Sequence, residues 1–165
     1  MPDVCFTYMK SPIGVIRMGF EPEGLSSVEL VADLKDVPES PELSEPYEEW
    51  ATQVLRALES YFAGSPLVVD VPLVEHGTAF QKKVWKALRE IPYGSTRTYG
   101  EIAKQVGSPR AARAVGGACN ANPLLIVTPC HRVVGHNGQL TGFAAGLDAK
   151  AHLLHVESDR SSRNR

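Results

Sequence analysis

Short runs of β-branched and aromatic residues open the chain. Residues 5–9, 13–20 and 25–31 are such runs, and turn-forming Pro and Gly residues separate them. This alternation is typical of a small antiparallel meander. Residues 33–46 are rich in Asp, Glu, Pro and Ser and show no periodicity, which predicts an acidic surface loop.

A helix with one apolar face is predicted at residues 47–63. Trp50, Val54, Leu58 and Tyr61 lie three or four positions apart along it. Because this spacing places side chains on one side of a helix, we expect all four to face the core.

Three further helices are predicted in the middle of the chain. Two begin at a Thr-x-x-Gln or Thr-x-x-Glu pattern, at Thr78 and Thr98, in which the side chains satisfy free backbone N–H groups. We expect these helices at residues 79–90 and 99–106, and a third at residues 109–120. The last two, joined by a glycine-containing turn, predict a helix-turn-helix.

The third of these helices is rich in small side chains and contains Gly116 and Gly117. An interior glycine costs a helix about 1 kcal/mol relative to alanine, so we expect another surface to approach closely. That surface is either a groove of DNA or a neighbouring helix, and the sequence leaves both open.

The region after this helix carries the candidate chemistry. Pro129 precedes Cys130 and His131, and two valines then lead to a glycine, which predicts a short strand followed by a hairpin turn at residues 135–138. A thiol beside an imidazole is a candidate nucleophile, because a free thiol with a pKa of about 8.5 needs a base to become a thiolate at neutral pH. A buried thiol beside a surface imidazole is the alternative.

A last helix is predicted at residues 147–157. Leu147, Ala151 and Leu154 have the spacing of its inner face. The polar residues 159–165 predict a disordered tail.

Composition sets limits on the class of protein. The 165 residues are 43% hydrophobic and 22% charged, as in a soluble globular protein. No apolar run approaches the roughly 20 residues needed to cross a bilayer, and the first residues lack a secretory signal, so we expect a cytoplasmic protein. Three cysteines without zinc-finger spacing predict neither a disulfide framework nor a metal site.

The formal net charge of −2 hides a strong asymmetry along the chain. Residues 1–76 contain four Lys and Arg against 14 Asp and Glu, whereas residues 77–132 contain nine against two. A basic segment in a mildly acidic protein is expected of a polyanion-binding face, although solvated helix faces have the same composition. The shift places a domain boundary at residues 76–77.

Five motifs together resemble one known family. They are IPYG at residues 91–94, TYGEIA at 98–103, AARAVG at 111–116, NP at 122–123 and PCHRV at 129–133. The chain resembles the O6-alkylguanine-DNA alkyltransferases, also called methylated-DNA–protein-cysteine methyltransferases. The resemblance implies an α+β protein, with a ribonuclease-H-like N-terminal domain at residues 1–76 and a winged-helix-like, helix-turn-helix C-terminal domain at residues 77–158.

The resemblance also implies an activity and its residues. Such a protein repairs O6-alkylguanine, chiefly O6-methylguanine, by moving the alkyl group irreversibly to its own cysteine. Cys130 is then the alkyl acceptor, and His131 is its base through a bridging water. Glu157 supports the histidine, and Tyr99 is the donor to the leaving base. A monomer without metal or cofactor is implied.

The implied partner is double-stranded DNA, entered through the minor groove, with the target base flipped out of the stack. Arg113 resembles the residue that fills the vacated space. The other implied DNA-binding residues are Ala111, Ala112, Ala114, Gly116, Gly117 and Asn122. The implied substrate-pocket residues are Val133, Phe143, Ala144 and Ala145, in a stretch where the family commonly has tyrosine, serine and two glycines.

Two other functions remain open at this point. A Cys-His hydrolase or thiol transferase uses the same thiol and imidazole but does not require Arg113 or the small-residue helix. A non-catalytic alkylguanine-binding relative keeps the DNA-binding half and replaces the cysteine.

Overall fold

In a computed structural model the chain is described over residues 4–31, 42–140, 143 and 146–163. It divides into two compact units between His76 and Gly77. Both strands and helices are present, so the protein is of the mixed α+β class. None of the helices in the described part of the chain has the length and hydropathy needed to cross a membrane.

The first unit contains a three-stranded antiparallel sheet, which confirms the predicted meander. Its strands are β1 (Cys5–Ser11), β2 (Gly14–Glu21) and β3 (Gly24–Val31), in that order. Strand alternation directs one set of side chains to a buried face. Fully buried Met18 and Phe20 belong to that set.

Helix α1 (Tyr47–Phe62) follows the sheet and packs against β1. Val54, Leu58 and Tyr61 are buried as predicted. Trp50 is only partly buried, and its ring lies edge-to-face on Tyr47 at a centroid distance of 5.9 Å.

The turn between β2 and β3 depends on Gly24, whose φ of +147° disfavours any residue with a side chain. The extended segment at Leu73 is bound to the sheet here, because the N–H of Leu25 donates to the carbonyl of Pro72 at 2.8 Å. A Cβ built on Gly24 would lie 2.2 Å from that carbonyl oxygen. The backbone of the segment therefore approaches the turn closely enough to require a glycine.

The second unit consists of helices and one short parallel strand pair. Its elements are α2 (Ala79–Arg89), β4 (Arg97–Thr98), α3 (Tyr99–Gln105), α4 (Ala112–Asn120), β5 (Val133–Val134) and α5 (Leu147–Arg163). The capping boxes at Thr78 and Thr98 are both present, as predicted. Trp85, Leu88, Ile102 and Val115 form the centre of the core of this unit.

Two predicted element boundaries near the candidate site are wrong. Helix α4 begins at Ala112, because Ser108 and Ala111 form a separate turn in which the Ala111 N–H donates to the Ser108 carbonyl at 2.8 Å. The segment Cys130–Arg132 is a 3-10 helix, and only the two valines after it form a strand. That strand pairs in parallel with β4 and not in a hairpin.

Helix α5 differs from the prediction in its length and in its buried face. It extends to Arg163, so residues 159–163 are helical where we expected disorder; no glycine or proline follows Glu157 to end it. Lys150, Leu153 and Glu157 are buried, whereas Leu147 is 49% exposed. The predicted face was wrong because two charged side chains face the protein interior.

We predict that Gly24→Ala lowers the free energy of unfolding of the first unit by about 3 kcal/mol or more, since it adds a backbone clash to a disfavoured φ. Gly107→Ala is the matched control, because φ is +83° but no atom of the described residues lies within 4 Å of the added methyl. The control should cost only about 1–2 kcal/mol. Equal losses in urea unfolding would show that the contact with Pro72 is unimportant.

Candidate active site

Cys130 lies at the start of the 3-10 helix, directly after a tight turn. Pro129 has φ −81° and ψ +66°, and the Cys130 N–H donates to the Thr128 carbonyl at 2.8 Å, which together define an inverse γ-turn. The thiol is free and 5% exposed. It belongs to the core cluster that includes Val133, with Tyr99 and Phe143 packed against that cluster.

His131 is fully buried and bound to a carboxylate from the last helix. Its Nε2 lies 2.5 Å from Oε2 of Glu157, which is 1% exposed. This contact orients the imidazole ring. Because Nε2 is bound to Glu157, proton exchange with a neighbouring group has to use the other ring nitrogen, Nδ1.

Glu157 accepts hydrogen bonds from three further donors. Arg132 donates from Nε to Oε1 at 2.8 Å and from Nη2 to Oε2 at 3.2 Å. The backbone N–H of Gly94 donates to Oε1 at 3.2 Å. Arg132 is itself held by the carbonyl of Ile91, to which Nη1 donates at 2.8 Å. A buried carboxylate is tolerated when its charge is paired and its oxygens are hydrogen-bonded, and Glu157 meets both conditions.

The protonation states follow from burial. Burial lowers the pKa of His131, and the neighbouring Glu157 only partly opposes this. His131 is therefore neutral near pH 7 and can accept a proton. Burial also raises the pKa of the Cys130 thiol, against a hydrogen bond from Asn122 and the charge of Lys150. The resting thiol is protonated and requires a base.

Lys150 is a further buried charged residue near Cys130. Its side chain is fully buried, and Nζ donates to the carbonyl of Val133 at 2.6 Å and lies 5.9 Å from the centroid of the Tyr99 ring. Burial lowers the pKa of this ammonium group, and its electrostatic interaction with Cys130 raises it. Lys150 thus connects helix α5 to the strand after the cysteine.

Comparison with known proteins decides the family. Residues 79–159 match the family described as 6-O-methylguanine DNA methyltransferase, DNA binding domain. The methylated-DNA–protein-cysteine methyltransferase of Methanosarcina acetivorans is 51% identical over 92% of this chain and 97% of its own length. That of Haemophilus influenzae is 40% identical over 95% of this chain and 88% of its own length. The chain belongs to the methylated-DNA–protein-cysteine methyltransferase family.

Solved structures agree with this family assignment. The crystal structure of Mycobacterium tuberculosis O6-methylguanine methyltransferase superimposes with a TM-score of 0.81 at 39% identity, covering 96% of this chain and 94% of the other. A crystal structure of Mycobacterium tuberculosis OGT in complex with DNA also gives a TM-score of 0.81, at 40% identity, with 94% and 93% covered. The mixed α+β fold of the methyltransferases is therefore the fold of this chain.

The structure joins His131 to Glu157 and packs Tyr99 against the core cluster that contains Cys130. Cys130 and His131 are neighbours in the chain, and Tyr99 is the first residue of α3. Phe143 packs against the cluster that contains Cys130, whereas Ala144 and Ala145 lie outside the described residues. Among the described residues, no three His, Cys, Asp or Glu side chains are grouped so as to hold a metal ion.

Helix α4 presents part of the proposed DNA-binding set to solvent. Arg113, Ala114 and Gly117 are exposed, and Gly116 faces Tyr99, with 3.9 Å from a built Cβ to the ring. A Cβ built on Gly117 meets no atom of the described residues within 4 Å. Packing against a neighbouring helix therefore does not explain this glycine.

Asn122, which the resemblance assigned to DNA binding, is engaged by the loop before the cysteine. Its Nδ2 donates to the Thr128 carbonyl at 2.8 Å, and its Oδ1 accepts from the Leu124 N–H at 2.9 Å. Both ends of the amide thus hold the loop that carries the nucleophile.

Arg132, Lys150 and Thr128 were missed as site residues. Arg132 stands inside the PCHRV motif, so its position beside the nucleophile was visible in the sequence. Lys150 and Thr128 carried no such signal, because a lysine in a helix is normally solvated and a threonine before a proline normally marks a turn.

We predict that Glu157→Gln lowers the free energy of unfolding by about 3–5 kcal/mol, because it leaves Arg132 buried without its counter-charge. The control is Glu29→Gln, which removes the ion pair with Arg17 in the first unit, where the side chains are 34% and 45% exposed. That change should cost less than about 1 kcal/mol. A Glu157→Gln protein as stable as the control, measured by urea unfolding, would contradict the role given to the carboxylate.

Proposed function

We propose that this protein repairs O6-alkylguanine in double-stranded DNA by transferring the alkyl group to Cys130. The observation that carries the proposal is the fully buried His131–Glu157 pair directly after the cysteine. A neutral imidazole held by a carboxylate is the arrangement that a protonated thiol needs for activation.

The transfer is a displacement at the alkyl carbon. His131 removes the thiol proton through a bridging water, the sulfur forms a bond to the carbon, and the bond from carbon to the guanine oxygen breaks. The released guanine gains a proton, for which Tyr99 is the proposed donor. Tyr99 regains a proton when His131 releases the one taken from the thiol to solvent, so that both side chains end neutral. The product is a thioether, which offers no easy leaving group, so each molecule acts once.

Access to the base requires flipping it out of the duplex, at a cost of a few kcal/mol. Helix α4 is the proposed minor-groove element, because Ala114 and Gly117 are exposed and small enough for that narrow groove. Exposed Arg113, in its first turn, is the proposed residue that fills the gap. The protein is proposed to act as a monomer, and its location in the cytoplasm stays a prediction.

The finer fold description also belongs to this proposal. The antiparallel meander followed by α1 supports a ribonuclease-H-like first unit. Helices α2 to α4 with the β4–β5 pair support a winged-helix-like second unit.

We predict that incubation with a duplex containing O6-methylguanine adds one methyl group to the protein, on Cys130, and that Cys130→Ser adds none while it still binds DNA. The serine hydroxyl is too weakly acidic to replace the thiol. Peptide mass spectrometry measures the site and stoichiometry. Cys119→Ser is the control and should accept one methyl, because burial raises the pKa of the Cys119 thiol to about 12 and Cys119, unlike Cys130, does not precede the His131–Glu157 pair. Many product equivalents per protein would favour a hydrolase or transferase with turnover.

We predict that Arg113→Ala and Gly117→Ala each slow repair of duplex DNA at least tenfold more than reaction with free O6-benzylguanine, which needs no base flipping. Gly117→Ala should also raise the free energy of unfolding by about 1 kcal/mol, because alanine is the better helix former and the position is open. If a variant slows the reactions with duplex DNA and with free O6-benzylguanine equally, its residue has a structural role and not a role in base flipping.

A further inference from the structure

Thr128, two positions before the nucleophile, has all of its polar groups engaged although it is fully buried. Its N–H donates to the Leu124 carbonyl at 2.8 Å, and its carbonyl accepts from Asn122 Nδ2 and from the Cys130 N–H, both at 2.8 Å. Its hydroxyl accepts from Nη1 of Arg89 at 3.0 Å. Thr128 is therefore held by hydrogen bonds to helix α2, to its own loop and to the backbone of Cys130.

Thr128 is also the first residue of the inverse γ-turn that directs Cys130. Such a turn spans three residues, and its hydrogen bond joins the Thr128 carbonyl directly to the Cys130 N–H, so the backbone position of Thr128 affects that of the cysteine. The same loop contains Ile126 at φ +69°, a conformation that a β-branched residue rarely adopts. A loop with a strained residue keeps its shape only where the surrounding contacts enforce it.

We propose that Arg89 is a positioning residue, which acts through the Thr128 hydroxyl to hold the Cys130 sulfur in the orientation needed for alkyl transfer. The proposal rests on Cys130 being the alkyl acceptor. Arg89 lies in the last turn of α2 and is partly buried. Its guanidinium donates to a residue that lies 39 positions later in the chain, in the loop before the cysteine. A hydrogen bond from a charged donor is stronger than one between neutral groups, which suits this task.

If Arg89 only stabilised the end of helix α2, loss of the Thr128 hydroxyl would not change the rate of alkyl transfer. A cation in the last turn of a helix is favourable in any case, because it complements the partial negative charge of that end. Thr128→Val removes the hydroxyl, keeps the branched shape and leaves Arg89 at the helix end. Thr128→Ser keeps the hydroxyl and serves as the matched variant.

The experiment measures two rate constants without DNA, so that any phosphate contact of Arg89 is irrelevant. Free O6-benzylguanine reports an oriented attack on a bound substrate, and iodoacetamide reports the reactivity of the thiol without orientation. We expect Thr128→Val and Arg89→Met each to slow the benzylguanine reaction about fivefold and the iodoacetamide reaction less than twofold. Thr128→Ser should react within twofold of the unchanged protein.

The double variant tests whether the two residues act as a unit. The double variant Thr128→Val with Arg89→Met should react with benzylguanine about fivefold more slowly, as either single variant does, because each substitution removes the same hydrogen bond. Arg56→Met, at an exposed position of α1, is the control for loss of an arginine and should leave both rates unchanged.

The proposal is overturned if folded Thr128→Val or Arg89→Met reacts with benzylguanine at the unchanged rate, or if either variant slows the benzylguanine and iodoacetamide reactions equally. It is also overturned if Thr128→Ser is as slow as Thr128→Val, or if the slowing in the double variant is the product of the two single effects. If Thr128→Val does not fold, the ratio of the two rates in Arg89→Met decides alone. A protein whose Cys130 gains no alkyl group in any form instead overturns the proposed function.

Discussion

The buried carboxylate of Glu157 is the interaction on which the second unit depends most. It pairs with Arg132, orients His131 and accepts the N–H of Gly94, and so joins α5 to the nucleophile segment and to the residues that precede β4. Taking a carboxylate out of water costs several kcal/mol, which only well-placed charge and hydrogen bonds repay. The same contacts that stabilise the carboxylate also fix the tautomer and the ring position of the histidine. Stability and reactivity in this site therefore have one physical origin.

The sequence predicted best those features that depend on neighbouring residues alone. The capping boxes at Thr78 and Thr98 are local hydrogen-bond patterns, and both are present. The prediction of the inner face of α5 failed because Lys150 and Glu157 are buried against partners far away in sequence. Hydrophobic periodicity treats such charged residues as solvent-exposed. The prediction of a strand at Cys130 failed because the two valines after the motif favour a strand, whereas the Arg132 N–H donates to the Pro129 carbonyl at 3.0 Å and forms a 3-10 helix. The family motifs predict the reaction residues, but they give no sign of the buried residues Thr128 and Lys150 near Cys130.

The glycines of α4 show how structure can resolve an ambiguity of sequence. Glycine in a helix is destabilising, so its presence requires a compensating contact. At Gly116 the ring of Tyr99 offers only an ordinary van der Waals contact, and at Gly117 the described residues offer none. Among the described residues, therefore, nothing requires a small residue at Gly117, which supports the proposed contact of α4 with DNA. An exposed helix face of small residues beside Arg113, in a segment of strongly positive charge, is suited to a narrow anionic groove.

The chain contains two buried thiols in one core, and their surroundings explain why only one is suited to react. Burial raises the pKa of both Cys119 and Cys130, so burial alone makes each thiol inert. Cys130 differs because it follows a tight turn, receives a hydrogen bond from Asn122 and precedes a neutral imidazole that a carboxylate holds in place. A dry site strengthens every electrostatic interaction, including the attraction between Lys150 and a thiolate at Cys130. Burial keeps the resting Cys130 thiol protonated and so protects it from unwanted reaction. In the proposed reaction it becomes a nucleophile only when the imidazole takes its proton.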